Sequence, residues 1–197
     1  MSFSSFWVSP TLGFASEPMG AADARRLASM GVTDVLDLRA EALDQSAVYT
    51  PVGIHYLRDP MIDDGRHQPV NVYVTGVTFV LNALARGGKV LVHCAAGQYR
   101  SPSMVYAVLR TMGYSATDAW SMVLHARATA NRQYVASAEA AVPYLPTRGD
   151  ALAVVAPGRQ GPGVIVMLAG VTLAASLGYL AVKWYVDSAN QRPARRR

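Results

Sequence analysis

One segment of the chain combines a nucleophile, a glycine-containing loop and a fixed positive charge. Its sequence over residues 90–102 is Val-Leu-Val-His-Cys-Ala-Ala-Gly-Gln-Tyr-Arg-Ser-Pro. An apolar run ends at Cys94, a loop with Gly97 follows, and Arg100 stands six positions after the cysteine, where a helix is expected to begin. We interpret the segment as a phosphate-binding loop with a thiol at its base.

The loop suits a phosphate because its backbone N–H groups can converge on one anion, and the positive end of the following helix adds to their field. Gly97 lets the backbone curl without a Cβ clash, and the Arg100 guanidinium can hold two phosphate oxygens in a fork that lysine cannot reproduce. The same field favours the thiolate of Cys94, which is a nucleophile for phosphoryl transfer. The predicted phosphate-binding residues are Ala95, Ala96, Gly97, Gln98, Tyr99 and Arg100.

Strands and helices are predicted to alternate around this loop. Residues 89–93 form an apolar run typical of a buried strand, and residues 102–112 are predicted to form the next helix, which Gly113 ends. Further strands are predicted at 32–38 and 54–57, and further helices at 21–30, 70–85, 115–126 and 132–141. This alternation favours an α/β fold with a central, mostly parallel sheet that helices flank.

The loop resembles the signature of the cysteine-dependent protein tyrosine phosphatases, His-Cys-x5-Arg-Ser/Thr. It is most similar to the dual-specificity form, His-Cys-x-Ala-Gly-x-x-Arg-Ser. The resemblance covers residues 6–145 and includes stretches at 7–13, 35–39 and 56–63. It implies a dual-specificity phosphatase-like fold. The matching loop positions are His93, Cys94, Ala96, Gly97, Arg100 and Ser101.

The resemblance implies a role for each catalytic residue. Cys94 attacks phosphorus, Arg100 stabilises the transferring group, and the Ser101 hydroxyl assists departure of the cysteine in the second step. An aspartate protonates the leaving oxygen and later activates water. Asp63, which stands 31 positions before Cys94, is the expected acid, and Asp64 is the alternative. No metal and no other cofactor is expected, because the loop amides and Arg100 already neutralise the phosphate.

The predicted function is hydrolysis of phosphotyrosine in proteins, and also of phosphoserine and phosphothreonine, through a phosphocysteine intermediate. The alternative enzyme is a membrane phospholipid or phosphoinositide phosphatase. It is less favoured because family members that act on such head groups tend to carry basic residues inside the loop, where Ala95, Ala96, Gln98 and Tyr99 are uncharged. A catalytically silent phospho-binding scaffold is the third possibility, and turnover of an aryl phosphate would exclude it.

The amino-acid composition limits the classes of partner that the chain is expected to have. The net charge is +5, but four arginines in the C-terminal tail leave the rest near +1, so no nucleic-acid partner is expected. Cys94 is the only cysteine, which excludes an intrachain disulfide and fits a reducing compartment. A phosphoprotein is the expected partner, and the oligomeric state is left open.

The C-terminal part of the chain predicts a membrane anchor. Residues 164–182 carry no charge and, as a helix, would span about 28 Å, close to the thickness of a bilayer core. We expect the catalytic domain to be cytosolic, because no secretory signal is visible and a lone thiol suits a reducing compartment, although the positive-inside rule alone would place the basic tail there. The predicted division is a catalytic domain at 1–145, a Pro/Gly-rich linker at 146–162, a transmembrane helix at 163–186 and a basic tail at 187–197.

Overall fold

The fold is built on a five-stranded mixed sheet with the strand order β1-β2-β5-β3-β4. The computed structural model describes residues 3–18 and 20–146. β1 pairs antiparallel with β2, and the three remaining pairings are parallel. The expected α/β architecture with a mostly parallel sheet is therefore confirmed. The strands are β1 (Ser5–Trp7), β2 (Leu12–Ala15), β3 (Asp34–Arg39), β4 (His55–Met61) and β5 (Val90–His93).

Helices flank this sheet. The 16-residue helix α3 confirms that the three-to-four-residue spacing of its apolar side chains outweighs its many β-branched residues. At the start of α5, the Ser115 hydroxyl accepts a hydrogen bond from the Asp118 N–H and caps the helix. The helices are α1 (Gly20–Ser29), α2 (Ser46–Tyr49), α3 (Val70–Ala85), α4 (Arg100–Thr111), α5 (Ala116–Ala126) and α6 (Val135–Ala141). Short 3-10 turns lie at Thr50–Val52 and Val142–Tyr144.

Several elements differ from the sequence prediction, including the four-residue helix α2, which was not predicted. The β1-β2 hairpin was not predicted, because its strands contain only three and four residues. β4 continues to Met61 through Pro60, which an edge strand tolerates. α6 begins at Val135 rather than at residue 132, because the Asn131 side chain accepts a hydrogen bond from the Gln133 N–H and forms a turn ahead of the helix.

β5 lies at the centre of the sheet between β2 and β3, and all four of its residues are buried. The helix that follows, α4, is buried over its first ten residues. β3, β4 and β5 are parallel, so their carboxyl ends meet at one edge of the sheet. In open α/β sheets, ligands bind outside this edge. Cys94 follows β5 directly and stands there.

The predicted membrane anchor lies outside the described residues, as do the basic tail and almost all of the linker. Within residues 3–18 and 20–146, no helix is long and apolar enough to cross a bilayer.

Candidate active site

The six residues from Cys94 to Tyr99 connect the central strand to the buried helix α4. Neighbouring elements hold the carbonyl groups of this loop. Ala95 O accepts from the Glu17 N–H at 2.9 Å, Ala96 O from the Arg127 guanidinium at 2.7 Å, and Gln98 O from the Asn131 N–H at 2.9 Å. In a planar trans peptide the N–H points opposite to the C=O. The N–H groups of residues 96, 97 and 99 therefore point away from these partners, toward the inside of the loop.

Gly97 is required by its surroundings. Its φ of +64° lies in the left-handed region, which favours glycine. A Cβ at this position would come within 2.6 Å of both Ala15 C and Ser16 N at the end of β2. The loop can therefore lie against β2 only because position 97 has no side chain.

Cys94 is buried at the base of the loop, with 1% of its surface exposed. Its Sγ lies 3.3 Å from the hydroxyl oxygen of Ser101, which is fully buried in the first turn of α4. The Ser101 hydroxyl is 3.5 Å from Ala15 O. Ser101 is thus placed to donate a hydrogen bond to a thiolate at Cys94.

Arg100 is buried, and several acceptors hold its guanidinium. Nη1 and Nη2 donate to the two carboxylate oxygens of Glu41 at 2.8 and 2.7 Å, and these hydrogen bonds lower the pKa of Glu41. Nη1 also donates to Met61 O at 3.0 Å. Arg100 Nε is buried and has no hydrogen-bond partner among the described residues. Glu41 therefore holds one edge of the guanidinium, and the edge with Nε remains for a ligand.

Glu41 is the residue of this site that the sequence analysis missed. It lies in the loop after β3, about half exposed, and 59 positions from Arg100 in the chain. No motif links the two residues. The sheet topology could have indicated this contact. Glu41 follows β3, the neighbour of β5, so it lies at the same edge of the sheet as the loop after β5.

The two candidate acids have similar exposure but different partners. Asp63 Oδ2 lies 3.2 Å from Arg100 Nη2, and Asp63 Oδ1 accepts a hydrogen bond from the Tyr134 hydroxyl at 2.8 Å. Asp64 accepts from the Arg66 N–H at 2.9 Å, and its Oδ2 lies 3.6 Å from Nε of the exposed Arg66. Asp63 is therefore the carboxylate beside Arg100, and Asp64 is paired elsewhere.

A buried polar cluster lies next to the base of the loop. Arg39 donates from Nε and Nη2 to the carboxylate of Asp37 at 2.9 and 2.6 Å and also pairs with Glu17. His93 lies beside Asp37, with its Nε2 3.8 Å from Oδ1. Burial lowers the pKa of His93 to about 4, so its imidazole is neutral near pH 7. The cluster fixes the carboxyl ends of β3 and β5 together with the chain after β2.

The described part of the chain places no group of three His, Cys, Asp or Glu side chains where they could hold a metal ion. The chemistry available at the site comes from a thiol, a buried guanidinium that Glu41 holds, converging amides and the carboxyl group of Asp63. This combination defines a cysteine-dependent phosphatase.

The chain belongs to the dual specificity phosphatase family, because the model of its catalytic domain matches residues 15–137. The dual specificity protein phosphatase PHS1 of Arabidopsis thaliana is 32% identical over 108 residues. That alignment covers 53% of this chain but only 12% of PHS1, so the chain spans a small part of this relative.

Solved structures share the fold. PTPMT1 in complex with PI(5)P is 22% identical, with a TM-score of 0.64, and the match covers 73% of this chain and 96% of PTPMT1. Human DUSP28 is 25% identical, with a TM-score of 0.57, and the match covers 71% of this chain and 96% of DUSP28. These similarities confirm the resemblance that the loop sequence indicates.

Proposed function

We propose that this chain hydrolyses phosphomonoesters on proteins, phosphotyrosine above all and also phosphoserine and phosphothreonine, through a phosphocysteine intermediate. The arrangement at Arg100 carries this proposal. Glu41 fixes its guanidinium, an unpartnered Nε remains on the other edge, and a carboxyl group stands 3.2 Å from Nη2. A phosphoryl group bound between Arg100 and the loop amides completes the missing hydrogen bonds.

In the first step, the Cys94 thiolate attacks phosphorus and forms the S–P bond while the bond to the leaving oxygen breaks. Asp63, protonated at this stage, gives its proton to the leaving oxygen. Arg100 and the loop N–H groups stabilise the charge on the three equatorial oxygens, and the positive end of α4 adds to this field.

In the second step, the Asp63 carboxylate accepts a proton from a water molecule whose oxygen attacks phosphorus. The S–P bond breaks, inorganic phosphate leaves, and the electron pair returns to Cys94 as a thiolate. The Ser101 hydroxyl, 3.3 Å from Sγ, stabilises this leaving thiolate by donating a hydrogen bond.

Two exposed apolar side chains support a protein substrate. Leu43 is 89% exposed two residues after Glu41, and Ile62 is 62% exposed directly after Met61, whose carbonyl contacts Arg100. Both lie close in the chain to residues that contact the Arg100 guanidinium, where the phosphate is proposed to bind. Apolar side chains at this place suit an aromatic ring or an apolar residue of a peptide better than a hydrophilic head group.

The charges nearby support the same substrate class. Glu41 and Asp63 both contact Arg100, and the loop residues Ala95, Ala96, Gln98 and Tyr99 carry no positive charge. A phosphoinositide head group carries several phosphates, and these carboxylates would repel the additional ones. Phosphoinositide hydrolysis is nevertheless the alternative that an experiment must separate, since PTPMT1 was solved with PI(5)P.

The test compares hydrolysis of phosphotyrosine peptides, phosphothreonine peptides and phosphoinositide in vesicles, with Cys94→Ser as the inactive control. We expect the highest kcat/KM for phosphotyrosine peptides and measurable turnover of phosphothreonine. Faster hydrolysis of the phosphoinositide would contradict the proposed substrate. Absence of turnover on every substrate and on an aryl phosphate would support the scaffold alternative.

We further propose that residues 164–182 anchor the enzyme in a membrane, with the catalytic domain in the cytosol. This proposal rests on the uncharged sequence of the segment and on Trp184 and Tyr185, which follow it as interfacial aromatic residues do. The full chain should sediment with membranes, and a chain that ends at residue 162 should not. Digestion of the catalytic domain by protease added to intact cells would contradict the proposed orientation.

A further inference from the structure

Tyr134 connects the turn before α6 to the loop that carries Asp63. The residue is fully buried. Its hydroxyl donates to Asp63 Oδ1 at 2.8 Å and accepts a hydrogen bond from the Gly65 N–H at 3.0 Å. Asp63 and Tyr134 are 71 positions apart, so this contact is a product of the fold.

The contacts of the phenol determine where its single proton points. The Gly65 N–H can only donate, and the Gln133 side-chain NH₂, 3.5 Å away, also donates. The acceptors in reach are Asp63 Oδ1 at 2.8 Å and Ile62 O at 3.4 Å. The shorter contact, to a carboxylate, is the stronger one. The phenol proton is therefore directed to Asp63 Oδ1.

A carboxylic acid carries one proton, and only one of its two oxygens can hold it. If that proton sat on Oδ1, it would face the phenol proton, and Tyr134 would have to turn to the distant Ile62 O. Oδ1 is occupied as an acceptor, whereas Arg100 Nη2, the donor nearest to Oδ2, already donates to Glu41 Oε1 at 2.7 Å. The proton therefore belongs on Oδ2. Oδ2 is the oxygen that lies 3.2 Å from Arg100 Nη2, on the side where the phosphoryl group is expected to bind.

We propose that Tyr134 is a positioning residue that assigns the transferable proton of Asp63 to Oδ2 and directs it at the leaving oxygen. The inference rests on the proposed acid role of Asp63. Tyr134 remains a donor throughout, because burial raises its pKa.

Tyr134 is itself held by the helices that frame the site. Its backbone carbonyl accepts from the Tyr73 hydroxyl at 3.1 Å, and this hydroxyl lies 3.2 Å from Ser103 Oγ. The Ser103 hydroxyl donates to Arg100 O at 2.8 Å. Buried polar contacts of Tyr73 and Ser103 thus lie between Arg100, at the start of α4, and the residue that orients the acid.

The test is Tyr134→Phe in the full chain, which keeps the ring and removes the hydroxyl. Phenyl phosphate needs a proton on its leaving oxygen, whereas dinitrophenyl phosphate hardly does. We expect kcat for phenyl phosphate to fall about tenfold, kcat for dinitrophenyl phosphate to change less than about twofold, and KM to stay constant for both. An unchanged kcat for phenyl phosphate, or an equal fall for both esters, would overturn the proposal.

Tyr106→Phe is the matched control. Tyr106 is also buried, and its hydroxyl also donates to a carboxylate, that of Glu139 on α6. Its loss removes the same kind of hydrogen bond at a place that does not contact Asp63. We expect both esters to be hydrolysed at the rate of the unmodified enzyme. If Tyr106→Phe had a leaving-group effect as large as that of Tyr134→Phe, loss of a buried hydrogen bond in general, and not the contact with Asp63, would be the cause.

Two further variants, Asp63→Ala alone and Asp63→Ala combined with Tyr134→Phe, separate this inference from the proposed function. If Tyr134 acts through Asp63, Tyr134→Phe should add nothing to the loss of kcat caused by Asp63→Ala, whereas independent effects would multiply. A multiplied loss overturns the positioning role and leaves the acid role of Asp63 intact. If Asp63→Ala itself shows no leaving-group dependence, the acid assignment fails, and the inference about Tyr134 fails with it.

Discussion

Asp63 and Asp64 are adjacent carboxylates, and their different contacts predict different roles. Asp63→Ala should lower kcat for phenyl phosphate by at least about a hundredfold, because general acid catalysis contributes roughly that much, and should affect dinitrophenyl phosphate far less. Asp64→Ala, the matched control, removes a carboxylate that is paired with Arg66 and should leave both rates close to normal. Steady-state kinetics on the two esters decides the assignment. The reverse pattern would make Asp64 the acid.

Glu41 orients Arg100 by accepting hydrogen bonds on both of its oxygens. Glu41→Gln keeps the shape but removes the charge and one acceptor. We expect kcat/KM for an aryl phosphate to fall roughly tenfold, since a hydrogen bond to a charged group is worth about 1.5–3 kcal/mol and Glu41 is half exposed. Asp44→Asn is the control, because Asp44 lies on the same loop but accepts from Ser46. Equal effects of the two substitutions would contradict the role of Glu41.

The conformation of the loop between β5 and α4 depends on the end of β2, against which the loop lies, as well as on the sequence of the loop. Gly97→Ala places a Cβ within 2.6 Å of the backbone at Ala15 and Ser16, in addition to the strain of a positive φ. Gly87→Ala is the matched control, because φ at Gly87 is +78° but no atom lies within 4 Å of the added Cβ. Both variants should lose about 1 kcal/mol of stability through φ.

Gly97→Ala should in addition lose at least about a hundredfold in kcat/KM, because the loop must shift away from β2 and its amides no longer converge. Kinetic constants and thermal unfolding of the two variants provide the comparison. If Gly97→Ala were fully active, the loop could move away from β2 without loss of function, and the close contact with β2 would not be required.

A buried carboxyl group on β4 makes the stability of the fold depend on pH. Burial raises the pKa of Asp59 to about 6, and its Oδ2 has no hydrogen-bond partner among the described residues. The pKa in the folded state is above that in the unfolded state. The contribution of Asp59 to stability is therefore fully present below about pH 4 and is lost as the pH rises through about 6.

Asp59→Asn should accordingly raise the free energy of unfolding at pH 7 by about 2 kcal/mol, because it removes the cost of the buried charge. The gain should shrink to nearly zero at about pH 3, which lies below the pKa of the carboxyl group in both states. Denaturant unfolding at the two pH values measures the difference. A gain that grows as the pH falls would contradict the assigned environment of Asp59.

Across the whole molecule, the sequence predicted the features that are local in the chain. The loop from Cys94 to Arg100 could be recognised because its nucleophile, glycine and guanidinium lie within seven consecutive residues. The parallel sheet followed from the alternation of apolar strand and helix patterns. The Glu41 contact with Arg100 spans 59 positions and the Tyr134 contact with Asp63 spans 71, so their pairing depended on the register of the folded sheet and helices.

The proposed hydrolysis proceeds through a phosphoryl group bound to Cys94. In Asp63→Ala, dinitrophenyl phosphate should still react in the first step, which hardly needs an acid, whereas the second step lacks its base. Rapid mixing, acid quenching and mass spectrometry of the peptides should find one phosphoryl group per protein on Cys94, formed in a burst with the released dinitrophenol. Turnover without phosphorylated Cys94, or a phosphoryl group on another residue, would contradict the account.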